Sequence, residues 1–370
     1  MQTIEKLKIL SESSQYDLAC ACGSNDLDRR KKSEDGKWIY PVTLPNGGQS
    51  IMLKTLLSNA CSSDCKYCPL NKDSNLRRCS LTPEEVCQTF MNYFKSGKIF
   101  GLFLSSGIIG SPDQTMDKLI SSVNLLRNKY AFKGYVHLKV IPGASDAAIE
   151  KAMSLSSAVS LNIETPGSKY FDKLSSYKNF DKDISRSLKY MSHLSKEKYP
   201  KVKLTTQFIV GAANEPDLDI LKCSFALYNK LDYQRIYFSA YQDISDINLP
   251  FRLEEENNDN AMRILREHRL YQSDFLIRKY GFHEDDFIYD QNGCLDLNED
   301  PKTIWAKRHP EFFPININSA SKETLLRVPG IGPSTASKII TLRKLHRLSN
   351  LSFLAGANKI SAKISSHVTY

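Results

Sequence analysis

The chain has 370 residues, 41% of them hydrophobic and 25% charged, with a mean hydropathy of −0.37. This excludes disorder, collagen-like repeats and coiled coil, and predicts a globular protein of two or three domains. No run approaches the roughly 20 apolar residues of a membrane span, and the charged N-terminus MQTIEKLKILSESS has no signal-peptide apolar core, so the expected location is cytoplasmic.

The formal charge is +9, from 50 basic and 41 acidic residues. Residues 301–370 hold seven Lys and four Arg against Glu311 and Glu323, so this segment carries the whole excess and the first 300 residues sum to zero. A basic segment of this kind commonly meets polyanions.

In chain order, a helix is predicted over about residues 3–14, followed by the loop-like YDLACACGSNDLDRRKK and by WIYPVTLPNGG with turn signals at Pro45–Gly48. This is an extension, residues 1–50, before a core at 51–285. From Ile51 an apolar run, a Gly/Ser/Pro break and an amphipathic helix recur. Strands are expected at Ile51–Leu57, Phe100–Leu104, Tyr135–Ile141, Ala158–Ile163, Lys203–Val210 and Arg235–Ala240. Helices such as PEEVCQTFMNYFKS lie between them, with Pro83 in the first turn and the Glu pair suited to the dipole. Six strand-helix alternations predict a parallel α/β sheet, open or barrel-like, with its chemistry at the C-terminal strand ends. His137 and Lys139 share one face of the third of these strands and face either a polar interior or the outer helices. A helical stretch, MRILREHRLYQSDFLIRKYGF, then a connector at 286–312, lead to a new unit at 313–370.

Nine cysteines without export signals favour metal or redox chemistry over disulfides. Cys87, Cys223 and Cys294 read as small core residues. In Asn59-Ala-Cys61-Ser-Ser-Asp-Cys65-Lys-Tyr-Cys68-Pro, three thiolates can converge on one metal centre just beyond the first strand of the repeat. Three Cys with no His nearby suggest a centre with one open position. A structural zinc site would need a fourth ligand from Cys79, Cys20 or Cys22.

The CxxxCxxC spacing, with Tyr67 before the last Cys, resembles the radical SAM superfamily. That resemblance implies a partial (β/α)6 TIM-type barrel. It also implies a [4Fe-4S] cluster on Cys61, Cys65 and Cys68 whose fourth iron chelates S-adenosyl-L-methionine, and one-electron cleavage to a 5′-deoxyadenosyl radical. It implies cofactor contacts from Tyr67, from Ser105, Ser106 and Gly107 (where the family's Gly-Gly-Glu is replaced), from Asn162 and Glu164 on one strand face, and from Gly211 at the adenine. It further implies an electron donor such as flavodoxin or ferredoxin. More narrowly, LFLSSGI, HLKVIPGAS, EHRLYQSDFLIRKYGF and WAKRHPEFFPININSAS resemble the DNA modification and repair radical SAM proteins whose genes are linked to a uracil-DNA glycosylase family member. Cys20 matches a cysteine of that family and is carried as a catalytic candidate, and a uracil-DNA glycosylase family protein as a partner.

ININSASKETLLRVPGIGPSTASKIITLRK is similar to a helix-hairpin-helix motif, so the C-terminal unit is expected to be a small all-α domain. Pro329, Gly330, Ile331 and Gly332 form its hairpin. Both glycines are expected to let the turn approach a nucleic-acid backbone, while the second helix's free N–H groups bind phosphate and Lys338 adds charge. A degenerate second hairpin is expected near Leu351–Ile360. These features predict a radical SAM enzyme acting on DNA. The alternatives are the same chemistry on RNA or a protein partner, or a non-catalytic, metal-stabilised DNA-binding protein.

Overall fold

The computed structural model describes residues 1–14, 36, 38–43, 49–242, 260–352 and 358–370. The expectations placed on Cys20, Cys22, the Pro45–Gly48 turn and the centre of the degenerate hairpin lie outside these residues. Two compact units are formed, one by Met1–Glu215 with Ala226–Ile264, the other by Pro216–Phe225 with Leu265–Tyr370. Among the described residues no helix is long and apolar enough to cross a membrane.

The first unit is built on a seven-stranded sheet: β1 (Ile39–Thr43), β2 (Gln49–Leu56), β3 (Gly101–Ser105), β4 (Tyr135–Lys139), β5 (Ala158–Ser160), β6 (Lys203–Val210) and β7 (Arg235–Ala240). β1 pairs antiparallel with β2, and every later pair is parallel. Spatial order equals chain order, β1 to β7. A doubly wound sheet reverses its order at a switch point, whereas a barrel adds each strand beside the last. The topology is therefore a partial (β/α)6 barrel edged by β1, an antiparallel strand that the sequence reading had left as a turn-rich extension.

The connecting helices begin where the sequence supplies caps. Thr82 and Glu85 form a capping box on α2 (Pro83–Lys95), after α1 (Thr3–Ser13), and Ser111 and Gln114 form one on α3 (Pro112–Asn128). Proline occupies the first turn of both, where its missing N–H costs nothing. α4 (Asp146–Leu155), the short α5 (Ser168–Phe171), α6 (Arg186–Glu197) and α7 (Asp217–Asn229) follow in the crossovers. The outward faces of the strands and the helix stripes that cover them, among them Leu104, Leu138, Phe90 and Met116, are fully buried. Cys87 lies in this layer and its Sγ reaches the Ser122 carbonyl at 3.1 Å, whereas Cys223 and Cys294 are only partly buried.

The second unit holds most of α8 (Asn260–Tyr280), α9 (Pro301–Arg308), α10 (Lys322–Arg327), α11 (Pro333–Leu342) and α12 (Asn358–Ser365). Two short strands, β8 (Ile315–Asn316) and β9 (Val368–Thr369), pair in parallel and join the two ends of its C-terminal part. Ile317, Leu325, Val328, Ile331, Ala336, Ile339 and Ile364 form its core.

Phe90 is fully buried and meets Phe132 edge to face at 4.8 Å. Phe90→Ala should cost about 3–5 kcal/mol through lost burial and the cavity left behind. Urea unfolding, compared at equal slope with the parent chain, measures it.

Candidate cofactor site and nucleic-acid interface

The C-terminal ends of the parallel strands open onto one cavity within the first unit. Cys61, Cys65 and Cys68 line it, together with Tyr67, Ser105, Ser106, Gly107, Asn162 and Glu164. All three cysteines are free thiols. Cys61 Sγ accepts from the Ser63 and Ile108 amides, each at 3.4 Å, and Cys65 Sγ lies 3.2 Å from Ser63 Oγ. Burial, then the neighbouring Cys65 and Cys61, push the Cys68 thiol far above its ordinary range. That is the behaviour of three sulfurs close enough to repel as thiolates and in want of a cation.

Among the described residues no group of three or more His, Cys, Asp or Glu is placed to hold a single metal ion. A mononuclear zinc draws all its thiolates to about 2.3 Å, whereas each thiolate of an iron-sulfur cube takes a different iron. Cys61, Cys65 and Cys68 face one cavity from a single loop, which gives each thiol its own approach to a group bound there. Cys79 is absent from the lining; its thiol turns to the Lys6 carbonyl at 3.7 Å, against the first helix.

Two side chains that the sequence reading missed shape the thiol loop. Asp64, between Cys61 and Cys65, accepts from Ser175 Oγ at 2.5 Å, from the Ser176 amide at 3.0 Å and hydroxyl at 2.5 Å, and from the Tyr177 amide at 3.2 Å. Burial raises this carboxyl, but these four bonds outweigh it and bring it down to about 2. Arg78 spans the base of the loop and donates to the carbonyls of Asn59, Leu70, Asn71 and Ser74 and to Ser74 Oγ. Neither carries a sequence signal, because each depends on partners brought up by the fold.

The Asp64 contact also delivers Lys178, whose Nζ donates to Cys65 Sγ at 3.1 Å. Burial alone would lower this ammonium, yet Cys65 and Glu164 more than compensate and hold it above its ordinary range.

Glu164 is 6% exposed and has φ +65°, a left-handed conformation rare for a non-glycine residue. Regular β5 ends at Ser160, so Asn162 and Glu164 do not share one face of a regular strand, as the alternation had suggested. The backbone is instead pinned to β6, from the Glu164 amide to the Gln207 carbonyl at 3.0 Å and from the Ile209 amide to the Glu164 carbonyl at 2.8 Å. Burial raises the carboxyl, opposed by Lys139, Lys178 and hydrogen bonds from Tyr67 and Asn162. Among the described residues its buried Oε2 has no hydrogen-bond partner. An orphaned carboxylate oxygen in a cavity wall is costly unless a ligand donor meets it.

Lys139 also lines the cavity, and His137, on the same face, lies 2.9 Å through Nε2 from Ser160 Oγ. The inward orientation of this pair is thereby settled. Gly107 packs so closely on the thiol loop that a Cβ would stand 2.3 Å from the Ala60 carbonyl oxygen. Its lack of a side chain serves that contact as well as the cavity. Gly211 does not line the cavity; it turns the chain at φ +84° and donates its amide to Glu215 at 2.5 Å.

In the second unit, α10, Val328–Gly332 and α11 form two helices joined by a tight hairpin. Gly330 is exposed at φ +89°, where glycine is favoured. Gly332 has φ −99°, an ordinary extended value, and a Cβ there would meet only the Tyr280 hydroxyl at 3.3 Å. The expectation that both glycines need conformational freedom is corrected to Gly330 alone. Pro329 is buried, the Ile331 side chain belongs to the core, and Lys338 is exposed on α11.

Residues 312–364 match the helix-hairpin-helix motif family, HHH_3. A search of curated proteins returns no match. The chain is similar to methylornithine synthase, PylB, at 16% identity and TM-score 0.45, covering 59% of this chain and 61% of that one. The FeFe-hydrogenase maturase HydG from Carboxydothermus hydrogenoformans is similar at 13% identity and TM-score 0.47, covering 85% and 80%. A third, native anSMEcpe with bound AdoMet and Kp18Cys peptide, is similar at 12% and TM-score 0.42, covering 84% and 99%. The chain thus spans less than two thirds of methylornithine synthase. At such scores the functional argument rests on this chain's own residues.

Because Asp64 is held near 2, against about 3.9 for a free carboxyl, its stabilisation is full above pH 4 and is lost as pH falls toward 2. Asp64→Asn should therefore lower stability at pH 5 to 7 and flatten its decline between pH 4 and 2. Denaturation midpoints over that range measure both effects.

Proposed function

We propose that the chain is a radical S-adenosylmethionine enzyme acting on nucleic acid, with DNA as the favoured substrate. One observation carries this reading: three free thiols in CxxxCxxC spacing face the cavity in which Glu164 keeps a buried carboxylate oxygen without a partner. Cys61, Cys65 and Cys68 would hold a [4Fe-4S] cluster, leaving one iron for S-adenosylmethionine. Bound there, the pair supplies one-electron cleavage of the sulfonium and a carbon-centred radical that abstracts hydrogen.

The remaining work belongs to the chain. The Ser63 and Ile108 amides donate to Cys61 Sγ and Lys178 Nζ donates to Cys65 Sγ, which favours the anionic form of both thiols. Glu164 offers a carboxylate to the cofactor's cationic amino group or to its hydroxyls, and Tyr67 and Asn162 orient that carboxylate. Ile209 and Tyr241, with the partly buried Tyr67 packed against them, form an apolar wall of the cavity that would exclude water from a cofactor held there.

The helix-hairpin-helix match and the concentration of positive charge in residues 301–370 support nucleic-acid binding by the second unit. Backbone contacts of this type position a protein without reading sequence.

Cys65→Ala should abolish S-adenosylmethionine cleavage and lower iron content, while Cys79→Ala should leave both intact. Iron and sulfide assay of the anaerobically reconstituted chain, with its visible spectrum, decides this; equal iron loss in Cys79→Ala would replace the three-cysteine site by a four-cysteine one. Glu164→Gln should keep the cluster and weaken S-adenosylmethionine binding roughly tenfold or more, the scale of one charge-assisted hydrogen bond. Calorimetry that finds unchanged affinity would sink that role.

A further inference from the structure

Lys302 is a buried cation of the second unit that the proposed chemistry does not use. It is 7% exposed, sits at the start of α9, and donates through Nζ to the Ile331 carbonyl at 2.6 Å. Ile331 is the central residue of the hairpin, between Gly330 and Gly332. The ammonium also stands 4.7 Å from the Tyr280 ring centroid, and the Tyr280 hydroxyl is the atom nearest to the space above Gly332. Lys302 and Tyr280 thus form a floor beneath the hairpin.

A trans peptide directs its C=O and N–H to opposite sides. With the Ile331 carbonyl drawn inward to a buried ammonium, the Gly332 amide of the same peptide is turned away from the floor. An anion approaching α11 meets that amide together with the free amides of the first helical turn.

We infer that Lys302 is the positioning residue of this hairpin, and that seating a nucleic-acid phosphate on the hairpin draws a proton onto the Lys302 amine. The inference rests on the reading of the second unit as a nucleic-acid binder. The charged and titratable groups around Lys302 come from four elements. Asp300 caps α9 and is held by Lys363 of α12 at 3.0 Å. Arg327 of α10 is paired with Asp286 at 2.6 Å, and Tyr280 ends α8. Burial lowers the Lys302 ammonium to about 7; Asp300 opposes this, while Lys363 and Arg327 reinforce it. A phosphate adds negative charge on the far side of one peptide and shifts the balance toward the protonated amine. Proton uptake on binding means that affinity falls as pH rises through and above 7.

The test uses the full chain and a fluorescein-labelled duplex at constant ionic strength, read by anisotropy from pH 6.5 to 9. Calorimetry in HEPES and in Tris counts the protons taken up. Wild type should lose on the order of fivefold to tenfold in affinity across this range, as a pKa shift of about one unit requires, and should take up a fraction of a proton at pH 7.5. Lys302→Met should bind more weakly at pH 6.5 and lose the pH dependence. Lys302→Arg, which stays charged, should bind at all pH values with no proton uptake. Affinity that is flat with pH in wild type overturns the inference, whatever the variants do to folding. So does a dependence that survives in Lys302→Met, which would place it on His283, His309, His346 or His367. A full chain that binds no duplex at any pH overturns the nucleic-acid reading itself.

Discussion

The parallel hydrogen-bond ladder from β2 to β7 is the constraint on which the cavity depends. Because each strand is laid beside its predecessor in the same direction, the chain leaves every strand at the same rim. Cys61 follows β2, Gly107 follows β3, Glu164 follows β5 and Tyr241 follows β7, so residues as far apart as Cys61 and Gln242 share one lining. Apolar burial beneath the helices sets the stability of this frame, and the rim is left free to carry polar groups that would be costly within the sheet. Glu164 shows that cost locally, with a left-handed backbone and a buried oxygen that no protein donor meets.

The second unit is organised by a different economy. Its core is small, and its ends are joined by the two-residue pairing of β8 with β9. Lys302 places a cation in the interior and settles it with one carbonyl and one aromatic face. A buried ammonium is a poor source of stability. Its position under the hairpin is better understood as fixing the direction of one peptide.

Much of the sheet was legible because buried parallel strands are continuous apolar runs. Lys203–Val210 and Arg235–Ala240 match β6 and β7 residue for residue. β5 is shorter than its apolar run, since the chain leaves regular geometry to turn Glu164 into the cavity. β1 was not legible: it is five residues long, interrupted by Pro41 and followed by the turn signals at Pro45–Gly48, and its strand character comes from pairing with β2. Cys61, Cys65 and Cys68 were readable from spacing, because three ligands from one loop are a local property. Asp64, Arg78 and Lys178 were not, since Ser175 lies 111 residues from the carboxylate that it holds. Gly332 was misjudged for a related reason: sequence shows that a glycine is present, not the φ it adopts.

The ties made by Asp64 and Arg78 bear on how the thiol loop would take up the proposed cluster. Small metal-binding modules often fold only as the ion arrives, so that removing the ion dismantles the ligands. Here carbonyls at both ends of the loop are gathered by one guanidinium, and its middle is bound to Ser175 and Ser176. Much of the loop's shape is thus set by bonds in which no sulfur takes part. On the proposed reading, stripping the centre would leave a scaffold ready to be refilled, and loading would be a docking event separate from folding.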